Sequence, residues 1–320
     1  MNRIIHDFNL SLNHFTIPRK TVRALSNLGF ELIDVNDSKK SDLDSVEIFF
    51  GNRLKTPDLA LYPNLRYVHL GCMGYDNLDL NILKLKDIIL TNSTGIVEKS
   101  ISEMVLAAIL YFMRGLHLNN LDTISTGRMV LDSHYNELKP IHTCNAIVFG
   151  IGNIGKEIVE NLSLNGVKCV GVNSTGESSN SFYKVLSLSD ASKVVGDFDF
   201  IVNALPHNSS TNELFDYQYF NKFKSNSIYL NVGRKQTTSQ KDLVKWLVSS
   251  KSRGIYLDVY DDSIIKSLKK LDDKIKKKII LTPHNSGWSS DYWTKQEKLF
   301  VNNLFLYTNR ELEKLLNRIC

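Results

Sequence analysis

Short apolar runs alternate with longer stretches of helical period over most of the chain after Leu65. The apolar runs are rich in β-branched residues, which is typical of strands buried on both faces of a parallel sheet. The stretches between them are long enough to form the helices that connect parallel strands. The pattern therefore predicts an α/β fold made of βαβ units. The predicted strands are residues 67–70, 88–91, 145–150, 168–173, 200–204, 228–232, 254–259 and 279–282.

The most apolar segment, residues 104–113, is predicted to be helical and to begin near Ile101. Ser100 and Glu103 have the spacing of a capping box, in which two side chains bond to backbone N–H groups of the first turn. Apolar residues occupy most sides of this helix, so it must be covered either within its own chain or by a second subunit. The segment is about half of the roughly 20 residues that span a bilayer, so no membrane span is predicted.

The composition is that of an ordinary soluble protein, with 320 residues, 42% of them hydrophobic and 23% charged. A chain of this length exceeds one ordinary hydrophobic core, so two domains are expected. Arg3, His6 and Asp7 interrupt any apolar run at the N-terminus, which argues against a signal peptide and for a cytoplasmic protein. The four cysteines are widely spaced without a C-x-x-C pair, so we expect reduced thiols and no metal site.

The net charge of +5 is a mild excess and does not predict a nucleic-acid partner. The local basic cluster at residues 274–278 is interpreted as a solvated turn or helix end, with an anionic partner as the alternative.

A glycine-rich loop follows the predicted strand at 145–150, and a helical segment follows the loop. In G-x-G-x-x-G, the first glycine allows a tight turn, the second lets a diphosphate approach the backbone, and the third lets helix and strand pack closely. Backbone N–H groups at the helix start then bind the diphosphate. This context predicts a dinucleotide site; the alternatives are a plain turn or another nucleotide site, such as that of a methyltransferase. The loop residues predicted to bind the cofactor are Gly150, Gly152, Asn153, Ile154 and Gly155.

The next strand ends in Asn173, Ser174 and Thr175, where an NAD enzyme usually has an acidic residue that binds the ribose hydroxyls. Without that carboxylate, the extra phosphate of NADP is not repelled, and the hydroxyl groups are able to donate hydrogen bonds to it. No arginine is present to bind that phosphate, so the preference for NADP over NAD is slight. The alternative is that these are simply turn residues.

Three later strands end in polar residues, which we expect to converge because carboxyl ends of parallel strands share one edge. Arg234 follows one strand, the acidic residues 258, 261 and 262 follow the next, and His284 follows the third. A 2-oxoacid reduced by hydride needs a proton for its developing alkoxide, which a histidine supplies near neutral pH. Arg234 offers two parallel donors to a carboxylate. These two residues are the predicted catalytic pair.

The chain resembles the D-isomer-specific 2-hydroxyacid dehydrogenases over nearly its whole length, from about Leu65 to Trp288. The resemblance rests on the order and spacing of several short motifs. They are residues 70–76 (LGCMGYD), 91–95 (TNSTG) with Glu103, the glycine loop, 203–206 (NALP), 231–234 (NVGR), 257–259 (LDV) and 282–284 (TPH).

This resemblance implies two Rossmann-like domains with parallel sheets and an active-site cleft between them. Residues 1–92 and 290–320 would form a discontinuous substrate-binding domain, and residues 93–289 the dinucleotide-binding domain. It also implies a homodimer in which the helix near Ile101 packs against the partner. Carried over residue by residue, Met73 and Gly74 would bind the substrate carboxylate through their N–H groups. The further residues implied at the cofactor are Thr94, Leu205, Pro206 and Asp258.

The chain departs from the family pattern at two positions. Ser263 stands where the family usually has a glutamate that bonds to the catalytic histidine, and Lys235 stands where glycine usually follows the arginine. Asp261 or Asp262 is the candidate replacement for the missing acid, and we place Asp262 in the catalytic set. The leading hypothesis is an NAD(P)H-dependent reductase of a small 2-oxoacid such as glyoxylate, hydroxypyruvate or a branched 2-oxoacid. The alternative is a catalytically weakened NAD(P)-binding sensor, similar to corepressors that resemble these enzymes.

Overall fold

A computed structural model describes residues 2–8, 17–118, 138–177, 183–249 and 252–320. Its strands are β1 Asn2–His6, β2 Phe30–Asp34, β3 Ile48–Gly51, β4 Tyr67–Leu70, β5 Ile89–Thr91, β6 Asn145–Phe149, β7 Lys168–Asn173, β8 Lys184–Ser187, β9 Phe200–Asn203, β10 Ile228–Asn231, β11 Gly254–Leu257 and β12 Ile279–Leu281. Its helices are α1 Arg19–Asn27, α2 Lys40–Leu43, α3 Leu80–Leu85, α4 Glu98–Met113, α5 Asn153–Leu164, α6 Leu188–Val194, α7 Tyr217–Phe220, α8 Gln240–Ser249, α9 Asp262–Lys269, α10 Asp273–Lys276 and α11 Tyr292–Thr308.

The chain divides into two compact units, and both are α/β as the sequence predicts. Unit 1 comprises Met1–Ile96 and Ser289–Cys320, and unit 2 comprises Val97–Trp288. Both sheets are parallel, which confirms the fold class. The assignment of one unit to the substrate and the other to the cofactor stays a prediction.

Unit 1 is a five-stranded sheet of order β2-β1-β3-β4-β5 with a core on each face. Successive side chains of a strand point to opposite faces, so Ile4 and Ile5 enter different cores, as do Phe49 and Phe50. Phe300 and Leu304 of α11 are fully buried in the core that also contains Ile4 and Phe50. The last residues of the chain therefore complete a sheet layer that the first residues begin.

Unit 2 is a seven-stranded sheet of order β12-β11-β10-β9-β6-β7-β8, covered by helices on both faces. Helices α4 and α5 pack on one face around Val148 and Phe112, and α6 to α9 pack on the other around Ile147 and Trp246. The strand order reverses between β6 and β9. In an open sheet of this kind, the carboxyl ends of the strands at the reversal form the usual ligand-binding crevice.

The start of α4 differs from the sequence prediction. The helix begins at Glu98, three residues before Ile101, and Ser100 lies inside it. The buried carboxylate of Glu98 accepts a hydrogen bond from the N–H of Val97 at 3.0 Å, so the expected capping box of Ser100 and Glu103 is wrong. An acid at the first helical position satisfies a free N–H group there, and this competes with a cap further along.

Helix α4 is only partly covered by its own chain. One side packs on α5, where Asn161 donates to the hydroxyl of Ser102 at 2.8 Å, while Glu103 and Ala107 on the other side are exposed.

The basic segment at 274–278 forms α10 and the turn after it, and Lys274 and Lys276 are exposed there. Within the described ranges, no helix combines the length and apolar character needed to cross a membrane.

Candidate active site

The glycine loop follows β6 at the point where the strand order of unit 2 reverses. Gly150 has φ of 86°, a backbone conformation that favours glycine, and its N–H donates to the carbonyl of Val172 at 2.8 Å. A side chain at Gly150 would lie 2.7 Å from the carbonyl oxygen of Ala204, and one at Gly155 would overlap the carbonyl oxygen of Gly150. A Cβ at Gly152 would meet no atom within 4 Å. The first and third glycines therefore serve packing, while the second borders open space.

The start of α5 presents donors to that open space. Gly152 is the residue before the helix and has no side chain to cap it. The first N–H groups of a helix lack acceptors within the helix, and here they belong to Asn153, Ile154 and Gly155. Asn153 is exposed, and Ile154 packs against the core. An uncapped helix start beside a glycine that leaves room for a ligand fits the diphosphate of a dinucleotide.

Asn173 shapes the turn after β7. Its Oδ1 accepts from the N–H groups of Thr175 at 3.1 Å and Gly176 at 2.7 Å, and its Nδ2 donates to the carbonyl of Glu177 at 2.8 Å. Ser174 and Thr175 are exposed. Asn173 therefore fixes the turn by hydrogen bonds, which include one from the hydroxyl of Thr175 at 3.3 Å. The exposed hydroxyl of Ser174 is the one accessible to a ligand.

The loops after β6, β9 and β10 pack backbone against backbone. A Cβ at Gly233 would lie 2.6 Å from the carbonyl oxygen of Leu205, on the same segment that Gly150 contacts through Ala204. Leu205 is buried and Pro206 is exposed. The structure thus places Leu205 between the glycine loop and the loop that carries Arg234, with Pro206 as the next residue.

Three strands end in an asparagine, a pattern that the sequence analysis missed. In each case the Oδ1 of the asparagine accepts from the backbone N–H of the second residue after it. Asn203 accepts from Leu205 at 3.1 Å, Asn231 accepts from Gly233 at 3.1 Å, and Asn173 accepts from Thr175. Such side chains close a turn that replaces the strand ladder. The amino groups of Asn203 and Asn231 also donate to buried threonine hydroxyl groups. The repeated asparagine at strand ends was the available signal.

Arg234 is half-buried at the carboxyl end of β10. Its Nη1 donates to the carbonyl of Gly233 at 3.1 Å, and its own carbonyl accepts from the hydroxyl of Thr237 at 2.7 Å. Lys235, the residue that departs from the family pattern, forms an ion pair with Asp261. Asp261 also accepts from the amide of Gln240 at 3.2 Å. Asp261 is therefore occupied by the lysine beside the arginine.

His284 is exposed in the loop after β12 and has φ of 54°, in the left-handed region. Asp258, at the end of β11, is 3% exposed and binds this loop. Its Oδ1 accepts from the hydroxyl of Thr282 at 2.6 Å and from the N–H of Asn285 at 3.0 Å and of Ser286 at 3.2 Å. Its Oδ2 accepts from the hydroxyl of Ser286 at 2.5 Å. The sequence analysis found Asp258 but missed Ser286, because a buried hydroxyl has no signature in a single sequence.

Asp262 and Ser263 lie in the first turn of α9, and both are exposed. In the part of the chain that the structure describes, no hydrogen bond or ion pair joins Asp262 to His284. The catalytic role of Asp262 stays a prediction without a contact to support it.

Met73 and Gly74 lie in unit 1, in the loop after β4. Three successive carbonyl groups of this loop accept hydrogen bonds. The carbonyl of Gly71 accepts from the hydroxyl of Tyr292 at 2.7 Å, and that of Cys72 accepts from the N–H of Ser93 at 3.2 Å. The carbonyl of Met73 accepts from the side-chain amide of Asn92 at 2.8 Å. The C=O and N–H of a trans peptide point in opposite directions, so the next N–H groups point away from these partners. Successive N–H groups turned to one side make an anion-binding concavity.

Thr94 lies in the turn after β5, also in unit 1. Its N–H donates to the Oδ1 of Asn92 at 3.2 Å, and its carbonyl accepts from Asn317 at 2.6 Å. The site residues of unit 2 thus share one sheet edge, while Met73, Gly74 and Thr94 follow strands of the other sheet.

Comparison with known proteins gives consistent matches. Residues 106–286 match the model of the D-isomer specific 2-hydroxyacid dehydrogenase, NAD binding domain. A probable 2-ketogluconate reductase of Dictyostelium discoideum is 26% identical over 80% of this chain and 76% of its own length. Among solved structures, D-lactate dehydrogenase from Aquifex aeolicus complexed with NAD and lactic acid superposes with a TM-score of 0.80, at 20% identity and 99% coverage of both chains. The NADPH-dependent glyoxylate/hydroxypyruvate reductase of Sinorhizobium meliloti, in complex with NADP and malonate, has a TM-score of 0.76 at 19% identity, covering 99% of this chain and 96% of its own.

Proposed function

The chain belongs to the D-isomer specific 2-hydroxyacid dehydrogenase family, and we propose that it reduces a small 2-oxoacid to the D-2-hydroxyacid. It is an NAD(P)-dependent oxidoreductase, like the reductases and dehydrogenases that it matches. The substrate class of the proposal is glyoxylate, hydroxypyruvate or a branched 2-oxoacid. Relatives named as glyoxylate/hydroxypyruvate reductase and hydroxypyruvate reductase support that class.

One observation carries the proposal: Arg234 and His284 follow β10 and β12, which flank β11 in the sheet that also carries the glycine loop. Parallel strands lie about 4.8 Å apart, so the ends of β10 and β12 are separated by roughly 10 Å. This is within reach of two long side chains that serve one small acid.

In this proposal, Arg234 binds the substrate through its guanidinium and holds positive charge beside the reacting carbonyl oxygen. The imidazole of His284 donates a proton to that oxygen as it becomes an alkoxide. The nicotinamide cofactor, when bound, supplies the hydride that adds to the carbonyl carbon. Met73 and Gly74 offer their N–H groups to a carboxylate, which the orientation of their peptide planes supports.

Residues at the start of α5 and the end of β7 would hold the cofactor. The uncapped N–H groups of Asn153, Ile154 and Gly155 suit its diphosphate. The absence of an acid at Asn173, with exposed hydroxyl groups at Ser174 and Thr175, favours NADP slightly over NAD. The roles of Thr94, Leu205 and Pro206 at the cofactor belong to the same proposal.

A weakened sensor is the second candidate, and one observation favours it. Ser263 is exposed where the family usually has a glutamate, and among the described residues the imidazole of His284 has no hydrogen-bond partner. A protein with this site would bind the cofactor and turn over slowly.

The test is a panel of 2-oxoacids with NADPH and with NADH, followed by loss of absorbance from about pH 5 to about pH 8. The proposal expects turnover of at least one 2-oxoacid, and a loss of about a hundredfold or more in Arg234→Ala and His284→Ala. His142→Gln, which changes an exposed histidine of the same unit, is the matched control and keeps wild-type turnover. Cofactor binding without turnover on the whole panel would replace the reductase with the sensor.

The same proposal includes a homodimer and a cytoplasmic location. The side of α4 that carries Glu103 and Ala107 is open in the single chain, which supports a second subunit as its cover.

A further inference from the structure

One buried carboxylate ties the loop of His284 to the neighbouring strand. Asp258 accepts four hydrogen bonds from three residues of this loop, namely Thr282, Asn285 and Ser286, at 2.5 to 3.2 Å. These residues lie on both sides of His284 in sequence. The segment that carries the imidazole is therefore fastened at both ends to the end of β11.

The direction of each hydrogen bond in this cluster is determined. A carboxylate only accepts, so the hydroxyl of Thr282 donates to Asp258. The hydroxyl of Tyr256, 3.0 Å from that of Thr282, must then be the donor in their contact. Burial raises the pKa of Tyr256, which keeps this hydroxyl protonated as a donor. Tyr256 thus donates to Thr282, and Thr282 in turn donates to Asp258.

The backbone of His284 needs such support. A residue with a side chain at positive φ is strained, and this conformation persists only where the surrounding structure determines it. Ser263 stands at the position where this family usually has the acid that orients the histidine. The hydrogen bonds that Asp258 accepts from the loop backbone therefore hold the segment that carries the imidazole ring of His284.

We propose that Ser286 is a positioning residue for His284, acting through Asp258. Ser286 is 3% exposed, and its hydroxyl donates to Oδ2 of Asp258. The N–H groups of Ser286 and Asn285 donate to Oδ1 of the same carboxylate. This holds both oxygens in one orientation and the loop in one conformation. The inference rests on the proposed reductase function, because it concerns the proton donor of that reaction. The role that the family resemblance implies for Asp258 near the nicotinamide amide stays a separate prediction.

The test is Ser286→Ala, which removes the hydrogen bond to Oδ2 and leaves His284 and Arg234 unchanged. We expect kcat to fall about tenfold and the cofactor Kd to stay within about twofold, since a charge-assisted hydrogen bond is lost away from the cofactor loop. Ser286→Thr keeps the hydroxyl and should recover most of kcat. Ser239→Ala is the matched control, because it removes another serine–aspartate hydrogen bond of unit 2, to Asp242 at 2.9 Å, and should keep wild-type kcat.

A second measurement separates this inference from the reductase proposal. Amide hydrogen exchange of residues 285 and 286 measures how often the loop opens, and it needs no substrate. The exchange rate should rise about tenfold in Ser286→Ala. If the wild type reduces no 2-oxoacid, the proposed function fails while the exchange result still decides whether Ser286 holds the loop. Unchanged exchange in Ser286→Ala would overturn the inference. Faster exchange with wild-type kcat would overturn its catalytic part.

Discussion

At the scale of single residues, the three glycines of one loop have different physical tasks. Gly150 and Gly155 lie so close to the backbone of Ala204 and to each other that no side chain fits. Gly152 touches nothing that a methyl group would disturb, and its φ of −70° is open to any residue. The packing of the fold therefore does not require glycine here, whereas the proposed diphosphate would.

This difference makes a testable prediction. Gly152→Ala should leave the free energy of unfolding within about 1 kcal/mol of wild type, while the cofactor Kd rises at least about tenfold. Gly155→Ala should lower the free energy of unfolding by about 1 to 3 kcal/mol, because the added methyl group overlaps the carbonyl oxygen of Gly150. Thermal unfolding and titration of cofactor fluorescence measure the two quantities. Equal cofactor affinity in Gly152→Ala would contradict a diphosphate at this position.

The sequence predicts residues whose role depends on local geometry better than those whose role depends on distant partners. The motif and its neighbours locate the glycine loop, and Asn173 falls at the end of β7 as predicted. Ser286 and the buried face of Asp258 were not visible, because their partners come from loops 28 residues apart in the chain. The pairing of Lys235 with Asp261 likewise joins residues that follow two different strands.

At the scale of elements, β4 shows how much a central strand determines. All its residues are buried, and His69 is 0% exposed, beside the stacked rings of Phe50 and Phe300. Its Nδ1 lies 2.7 Å from the hydroxyl of Thr91 on β5, which also contacts Tyr67. Burial lowers the pKa of His69 to about 3. The fold therefore holds this histidine neutral within a hydrogen-bonded strand pair.

A pH dependence of stability follows from that pKa. His69 takes up a proton near pH 6.5 in the unfolded chain but only near pH 3 in the folded one. The contribution of neutral His69 to the free energy of unfolding is therefore fully present above about pH 6.5 and is lost as the pH falls toward 3. The contribution of His69 is about 1.4 kcal/mol per pH unit in this window. His69→Asn keeps a partner for Thr91 and does not titrate, so its stability should fall less steeply between about pH 6 and about pH 4, as urea unfolding would show.

The control for this experiment is His142→Gln, since His142 is exposed in unit 2. Its slope should equal that of wild type. A wild-type slope in His69→Asn would mean that the neutral histidine is not a source of the acid sensitivity.

Strand positions were predicted to within one or two residues, because short apolar runs bounded by polar residues are a local signal. The start of α4 was not, because Glu98 satisfies the first turn and overrides the motif at Ser100. The pattern predicts no element in the first sixty residues and no strand at the position of β8. Their strands β1 to β3 are recognisable only once α11 is known to cover Ile4 and Phe50.

At the scale of the whole molecule, the two units differ in how the chain builds them. Unit 2 is one continuous stretch, Val97–Trp288. Unit 1 needs both ends of the chain, because α11 fills its core and the N–H of Ile319 donates to the carbonyl of Leu90 at 2.8 Å. The family resemblance implied this discontinuous path, whereas periodicity alone did not.

Fragments should therefore behave differently. A fragment of residues 97–288 should unfold cooperatively on heating, while a fragment of residues 1–96 should not, because it lacks the fully buried Phe300 and Leu304. Each of these side chains contributes about 1.5 to 3 kcal/mol when buried. Adding a peptide of residues 289–320 to the second fragment should restore a cooperative transition, followed by circular dichroism. A cooperative transition in residues 1–96 alone would show that α11 is dispensable.

The late arrival of α11 has a consequence for biosynthesis. During synthesis, unit 2 is complete once residues 97–288 have left the ribosome. At that stage the sheet of β1 to β5 still lacks α11. The apolar face around Ile4 and Phe50 then stays uncovered until residues 289–320 have been translated. Nascent chains of this protein should consequently depend on chaperones for their first segment and not for their middle one.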